Sequence, residues 1–140
     1  MARRRRQTQA QTPRRLILDA GAVIALSRSD VRARAALAAA REAGADVSIP
    51  AVVVAETIRG TAVDAPVNRI IKAVGEVSET DERVGRTAGR LLGEAGSDST
   101  IDAIVVASAV ETGGAVILTG DPDDLRKLAG QRPGVVIQPL

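Results

Sequence analysis

Residues 99–121, STIDAIVVASAVETGGAVILTGD, contain the two elements that decide the fold class of this chain. The apolar spacing predicts a helix over residues 99–112, which Gly113 and Gly114 end, and the aliphatic run that follows predicts a buried strand over residues 115–119. A strand without polar alternation, joined directly to a helix, is typical of an α/β protein in which helices cover a parallel sheet.

The remainder of the chain repeats this alternation of strand and helix. Gly44, Gly60 and Gly96 end predicted helices, and Pro50 suits the first position of one. The predicted strands cover residues 15–18, 47–49, 76–78, 115–119 and 135–137, and the predicted helices cover residues 20–28, 31–43, 50–58, 65–74, 80–96, 99–112 and 122–129. This order predicts an α/β sandwich with a mostly parallel sheet and the last strand at an edge.

The composition limits how the core is built. The chain has 140 residues, of which 45% are hydrophobic, but it has no Phe, Tyr or Trp. The length fits one domain, and its core must consist of Val, Ile, Leu and Ala. Because base stacking needs aromatic side chains, any nucleic acid would be held through its phosphates and a metal ion.

The net charge of +2 is distributed unevenly. Six arginines and no acidic residue lie within residues 1–15, whereas residues 16–140 carry 13 basic and 17 acidic side chains, a net charge of −4. The sequence therefore predicts a basic, disordered arm over residues 1–14 and a single domain over residues 15–140. Such arms often follow nucleic acid, and a solvated chain start explains the arginines equally well.

The sequence gives no sign of export or of a membrane span. Residues 7–13, which follow the first arginines, are polar, and no apolar run reaches the roughly 18 residues of a spanning helix. The absence of cysteine excludes a disulfide framework. We therefore expect a cytoplasmic protein that does not bind membranes.

Carboxylates lie just after two predicted strands and at the start of a predicted helix. Asp19 and Asp121 come after strands, and parallel strands end at the same edge of a sheet, so both should face one crevice. Asp98 and Asp102 are four residues apart and lie on one face of the helix start. The chain has no His or Cys, so a metal ion would have oxygen ligands, which suit Mg²⁺ or Mn²⁺.

Helix capping is the alternative role for these aspartates. Asp19, Asp98 and Asp121 occupy positions from which a carboxylate can accept a hydrogen bond from a first helical turn, and residues 99–102 fit a capping box. Glu56 cannot be a cap, because it lies inside the apolar segment PAVVVAETIRG. An unpaired carboxylate on a buried face would cost on the order of several kcal/mol. A solvent-exposed position is the alternative for Glu56.

Three stretches around these acids are LILDAGAVIAL at Asp19, IPAVVVAETIRG at Glu56 and DSTIDAIVVASAVETGGAVILTGDPDDL at Asp98, Asp102 and Asp121. In this order and at this spacing they resemble PIN-domain ribonucleases, most closely the small VapC-type toxins of bacterial toxin–antitoxin pairs. The resemblance covers about residues 15–138. It implies a PIN-like three-layer α/β/α sandwich with a mostly parallel central sheet of about five strands.

The resemblance also implies the residues of a metal site. The catalytic residues and ligands of Mg²⁺ or Mn²⁺ would be Asp19, Glu56, Asp102 and Asp121, with Asp98 as an alternative third ligand or an outer carboxylate. Thr119 matches a hydroxyl that supports the last aspartate. Asp123 and Asp124 would hold an outer water, with helix capping as their alternative role.

By the same resemblance, the protein is a divalent-metal-dependent endoribonuclease that acts on RNA and forms a homodimer. A cognate antitoxin protein would cover its crevice. Candidates for phosphate contacts are Arg28, Arg59, Arg86 and Arg90, although arginine is also common on solvated helix surfaces. The alternative function is a catalytically inactive PIN-like module that binds nucleic acid or protein, with its acids serving as helix caps.

Two other enzyme classes fit the sequence poorly. A phospho-acceptor receiver domain needs an acidic pair after its first strand and a lysine after a late one, but Asp19 stands alone and the only lysines are Lys72 and Lys127. A haloacid-dehalogenase-like phosphatase needs an aspartate at the position of Gly21. The sequence also has no glycine-rich phosphate loop of the dinucleotide or P-loop kind.

Overall fold

The computed structural model describes residues 15–140, so the arm predicted over residues 1–14 lies outside the described residues. Strands and helices alternate along the described part of the chain. The strands are β1 (Arg15–Leu18), β2 (Asp46–Pro50), β3 (Val77–Ser78), β4 (Ala115–Thr119) and β5 (Val135–Pro139). The α-helices are α1 (Ala20–Ser27), α2 (Val31–Glu42), α3 (Ala51–Thr57), α4 (Ala65–Val74), α5 (Glu82–Ala95), α6 (Thr100–Glu111) and α7 (Pro122–Ala129), and a 3₁₀ turn covers Ala62–Asp64.

The described strands form one five-stranded sheet in the order β3-β2-β1-β4-β5. Every neighbouring pair is parallel, which confirms the predicted α/β fold, and β5 lies at an edge as predicted. Leu18 of β1 pairs with Leu118 of β4. Asp19, which follows β1, and Thr119, the last residue of β4, therefore lie side by side at the carboxyl ends of these two neighbouring strands.

The core consists of aliphatic side chains, as the composition requires. All of β4 is buried, and β1 is buried except for Arg15 at its start. α1 packs against α2, α3 and α4, whereas α5, α6 and α7 pack against one another. On α5 the buried residues Val84, Ala88 and Leu91 recur every three or four positions, which is why this helix has one face toward the core. Each helix within residues 15–140 falls short of the length and apolar character that a membrane crossing requires.

The junction between β2 and α3 differs from the prediction. Pro50 was expected at the first position of the helix, but it is the last residue of β2 and precedes α3 with φ −61° and ψ 143°. The proline ring fixes φ at a value that helices and extended chains share, so the sequence alone could not decide between them. In the sheet, Pro50 pairs with Ser78 of the short edge strand β3.

Candidate metal centre

Asp19 lies at the carboxyl edge of the sheet, where β1 ends. Its backbone N–H donates to the Leu118 carbonyl at 3.2 Å, which extends the pairing of β1 with β4 by one residue. The side chain is 7% exposed and caps α1, because Oδ1 accepts the Ala22 N–H at 2.9 Å. Burial raises the pKa of Asp19, and hydrogen bonds, the strongest from Thr119, act in the opposite direction. Asp19 is thus a helix cap whose second oxygen is directed toward β4.

Thr119 connects Asp19 to Asp121 through a buried hydroxyl. The residue is completely buried, its hydroxyl donates to Asp19 Oδ2, and the same oxygen accepts the Asp121 N–H at 2.8 Å. The hydroxyl fixes the backbone at the start of α7 relative to the Asp19 carboxylate.

Three further carboxylates lie close together where α6 and α7 begin. One oxygen from each of Asp102, Asp121 and Asp124 lies within 4.8 Å of the others. Asp102 is in the first turn of α6, Asp121 precedes α7, and Asp124 is in the first turn of α7. Within the described residues, no capping hydrogen bond of standard geometry joins the Asp121 side chain to the first turn of α7, but the Asp124 N–H is near enough to lower the pKa of Asp121.

The charges of this group act on one another. Burial, followed by the charges of Asp121, Glu56, Asp124 and Asp19, raises the pKa of Asp102 to about 6. Partial desolvation of the Asp121 carboxyl raises its pKa, and the side chain of the nearby Asp124 raises it further through a hydrogen bond and its charge. Groups of carboxylates that raise each other's pKa values are characteristic of sites that bind a cation or a proton.

Glu56 faces this group from the last turn of α3. It lines a shallow cavity of about 350 Å³ together with residues 99–102, which include Asp102. Burial and then the charge of Asp19 raise the pKa of Glu56, whereas Arg59 lowers it. The Glu56 side chain is therefore half-buried at the crevice and not on the outer face of α3.

Two of the predicted acids are not among the three close carboxylates, although the charge of Asp123 raises the pKa of Asp121. Asp98 is exposed in the loop before α6, and its backbone carbonyl accepts the Thr100 N–H at 2.9 Å. The Asp123 side chain is 96% exposed and lies 3.7 Å from the Arg126 guanidinium. Asp124, predicted to hold an outer water or to cap a helix, places a carboxylate oxygen close to those of Asp102 and Asp121. Its position three residues after Asp121 at a helix start is the sequence signal for its proximity to Asp121.

The loops that carry Asp19 and Asp121 touch through two glycines. A Cβ on Gly21 would lie 2.9 Å from the Gly120 nitrogen and 3.0 Å from its Cα, so only glycine fits at position 21 without a backbone shift. On Gly120, a Cβ would have ordinary contact distances, with 3.4 Å to the nearest atom. The close approach of the two carboxylate-bearing loops thus depends on the missing side chain of Gly21.

A larger cavity of about 600 Å³ lies elsewhere in the described structure, at the amino ends of β1 and β2. Arg15, Asp46 and Glu76 are among its lining residues. In parallel sheets ligands bind beyond the carboxyl ends of the strands. The coupled carboxylates also lie at those carboxyl ends, so we assign the functional site to the smaller, acidic crevice.

The donor set of this crevice fits a hard divalent cation. Asp102, Asp121 and Asp124 offer carboxylate oxygens within a few ångströms of one another, and Asp19 and Glu56 lie near enough to affect the pKa of Asp102. Mg²⁺ and Mn²⁺ prefer oxygen ligands of this kind. A bound dication would also relieve the repulsion that raises the pKa of Asp102.

We expect Asp102→Asn to raise the melting temperature of the metal-free protein at neutral pH. The folded carboxyl has a pKa of about 6 against the ordinary 3.8, so its ionisation opposes folding above about pH 6 and has no such effect below pH 3.8. After a discount for solvent screening, the gain is about 1 kcal/mol, or about 3–5 °C.

Thermal melts followed by circular dichroism at neutral pH and at about pH 4 check this expectation, because the gain should shrink as the pH falls. Asp46→Asn, at the exposed start of β2, is the matched control and should leave the melting temperature unchanged at both pH values. A gain for Asp102→Asn that is equal at the two pH values would contradict the assigned pKa.

The protein is of the α/β class, with an open, all-parallel sheet. At the carboxyl edge of this sheet lie carboxylates whose charges raise the pKa of Asp102. Residues 16–131 match the family profile of the PIN domain. The chain belongs to the PIN domain family, as its resemblance predicted. A search of curated proteins finds no match.

Solved structures share the fold at low sequence identity. A chain of VapBC2 from Rickettsia felis, bound to a DNA fragment from its promoter, matches with a TM-score of 0.71 and 12% identity over 90% of this chain and 98% of its own. A chain of a toxin–antitoxin complex from Klebsiella pneumoniae matches with a TM-score of 0.66 and 20% identity over 86% of this chain and 95% of its own. At these identities the likeness shows the fold.

Proposed function

We propose that this protein is a divalent-metal-dependent endoribonuclease and the toxin of a toxin–antitoxin pair. The observation that carries the proposal is the group of Asp102, Asp121 and Asp124, coupled by charge to Asp19 and Glu56 at the carboxyl edge of the sheet. Membership of the PIN domain family supports a nuclease. The resemblance of the sequence to VapC-type toxins supports RNA as the substrate.

Each acidic residue has a distinct part in the proposed site. Asp102, Asp121 and Asp124 would hold the cation, while Asp19 and Glu56 complete the ligand set from the other side of the crevice. Asp98 remains a candidate for an alternative third ligand or an outer carboxylate. When bound, Mg²⁺ or Mn²⁺ would activate water and stabilise negative charge on the scissile phosphate. Asp19 is held in place by its hydrogen bonds from Ala22 and Thr119, so its orientation is already set before a cation binds.

The proposed partners follow from charge and from the related folds. RNA phosphates would need cationic contacts beside the acidic crevice, and Arg59 is near enough to Glu56 to lower its pKa. A cognate antitoxin is proposed because the structures that share the fold come from toxin–antitoxin complexes. We also propose a homodimer, as the sequence resemblance implies, and a cytoplasmic location, as the absence of cysteine suggests.

One observation favours the alternative of a non-catalytic binding module. Asp19, the first of the predicted ligands, already caps α1 through its bond from Ala22, so its presence has a structural explanation without a metal ion. In that case the acidic crevice would serve only to attract a cationic segment of a partner. Metal-dependent cleavage distinguishes the two functions.

We expect the purified protein to cleave RNA in the presence of Mg²⁺ or Mn²⁺, and we expect EDTA to stop the cleavage. The cleavage rate of the Glu56→Gln variant should be at least about 100-fold lower. The substitution removes a charge that faces the crevice while it keeps the size of the side chain. Gel analysis of a labelled RNA gives the rate. Glu42→Gln, at the exposed end of α2, is the control and should cleave like the unmodified protein.

Metal binding provides a second measurement. Mn²⁺ should raise the melting temperature of the unmodified protein and of Glu42→Gln, and it should do so much less in Glu56→Gln. Cleavage that persists in EDTA, or that is undiminished in Glu56→Gln, would remove the proposed site. Mn²⁺ binding without any cleavage would favour the binding module.

A further inference from the structure

Asp64 is a buried carboxylate that the sequence analysis did not single out. It is 6% exposed and lies at the end of the 3₁₀ turn, directly before α4. Its two oxygens accept four hydrogen bonds from the three consecutive N–H groups of residues 59–61. These are Arg59 at 3.1 and 3.0 Å, Gly60 at 2.7 Å and Thr61 at 3.2 Å.

The electrostatics agree with this geometry. Burial alone would raise the pKa of Asp64, but the N–H groups of Gly60, Arg59 and Thr61 and the charge of Arg59 outweigh it and lower the pKa. The carboxylate is therefore held in its charged form by the loop that follows α3. The N–H groups of loop residues 59–61 in turn find their hydrogen-bond acceptor in the single side chain of Asp64.

This loop continues the helix turn that carries Glu56. Arg59 donates from Nη1 to the carbonyls of Ala55 and Ile58 at 3.1 and 2.9 Å, so its guanidinium covers the carboxyl end of α3. α3 has seven residues, and helices so short depend on contacts at their ends because their own hydrogen bonds do not stabilise them. Glu56 lies in this last turn, where fraying would displace it first.

Asp64 also joins this turn to the other side of the crevice. Asp64 directly precedes α4, and α4 packs against α1, the helix that Asp19 caps. A continuous set of contacts thus runs from the end of α3 through Asp64 and α4 to the helix that Asp19 caps. A displacement of the loop would change the position of Glu56 relative to Asp19.

We propose that Asp64 is a positioning residue of the metal centre, which orients Glu56 toward the other carboxylates by fixing the N–H groups of residues 59–61. This inference rests on the proposed function, since it assigns Asp64 a part in cation binding. An alternative is that Asp64 stabilises only the 3₁₀ turn and the loop before it, through its capping box with Thr61. The two roles differ in what happens to cation affinity when the fold is retained.

The test is a Mn²⁺ titration by calorimetry on the full chain and three Asp64 variants, with Asp81→Ala as the matched control. Asp81 caps α5 by accepting the Val84 N–H at 2.9 Å, so its loss removes a helix cap away from the crevice. We expect Asp64→Ala to weaken Mn²⁺ binding by about 10-fold or more, which is typical when a residue that orients a ligand is removed. Asp81→Ala should lower the melting temperature but leave Mn²⁺ affinity unchanged.

The conservative variants separate geometry from charge. Asp64→Asn can place its oxygen where Oδ2 accepts all three N–H groups but loses the second bond from Arg59 to Oδ1, so it should recover most of the Mn²⁺ affinity that Asp64→Ala loses. Asp64→Glu keeps the charge but moves the oxygens, and it should weaken binding several-fold. It carries the same test if Asp64→Ala does not fold.

Each outcome decides the proposal. Weakened binding in Asp64→Ala or Asp64→Glu, with recovery in Asp64→Asn, supports the positioning role. Unchanged Mn²⁺ affinity in Asp64→Ala and Asp64→Glu, or an equal loss in Asp81→Ala, overturns it while the proposed metal site stands. If the unmodified protein binds no Mn²⁺, the proposed function fails as well, and Asp64 then only stabilises the loop of residues 59–61.

Discussion

Asp19→Asn should abolish RNA cleavage, with a loss of at least about 100-fold in rate at saturating Mn²⁺. The substitution replaces one carboxylate oxygen by an amide nitrogen that cannot bind a cation. Asparagine still caps helices as well as aspartate does, so the hydrogen bond from Ala22 to Oδ1 can persist. The loss should therefore arise at the metal centre and not from unfolding.

Asp30→Asn is the matched control for this prediction. Asp30 caps α2 by accepting the Ala33 N–H at 2.9 Å, so the same chemical change is made at the same kind of position, away from the crevice. Asp30→Asn should retain full cleavage. The amide nitrogen of Asp19→Asn cannot accept the Thr119 hydroxyl proton that Oδ2 accepts, so the metal-free variant should fold but melt somewhat lower than the unmodified protein. Full activity of folded Asp19→Asn would exclude Asp19 from the site.

Gly21→Ala should disrupt the same centre through backbone geometry alone. The new Cβ would lie 2.9 Å from the Gly120 nitrogen and 3.0 Å from the Gly120 Cα. Both of these Gly120 atoms belong to the backbone and cannot rotate away from the contact. Relief of this contact must separate the loops that carry Asp19 and Asp121. We expect a loss of stability of about 1–3 kcal/mol and a fall in cleavage of about 10-fold to 100-fold, because small misplacements of catalytic groups are costly.

Gly85→Ala adds the same methyl group and serves as the control, but it should stabilise the protein. Gly85 is inside α5, and a Cβ there would meet no atom within 4 Å. Alanine is the better helix former, so this variant should gain about 0.5–1 kcal/mol and keep its activity. Thermal melts and cleavage assays on both variants give the comparison. Equal stability and activity in Gly21→Ala would show that the two loops can separate without consequence.

Local sequence signals were sufficient to predict the fold. The aliphatic runs at β1 and β4 have no polar alternation, which is specific to strands buried on both faces. The predicted bounds of α4, β4 and α7 agree with the structure because a proline or a glycine lies beside each of them. Pro50 was assigned to the wrong element because its fixed φ suits both.

The candidate metal centre could be predicted only in part. Asp19, Glu56, Asp102 and Asp121 stand out in the sequence because each is a carboxylate beside or within an apolar element. The proximity of Asp124 to Asp102 depends on how α6 and α7 pack, which no local pattern specifies. The burial of Asp64 likewise follows from the path of the loop after α3. The spacing of Thr61 and Asp64 is a capping signal that could have indicated it.

The wholly aliphatic core has a practical consequence for spectroscopy. A chain without Trp, Tyr or Phe has no intrinsic fluorescence and almost no near-ultraviolet absorbance, so its own signal cannot report ligand binding. The same property makes the protein a dark background for an introduced reporter. A single tryptophan in place of the partly exposed Ile101, next to Asp102, would be the only emitter in the molecule and would respond to events at the crevice alone.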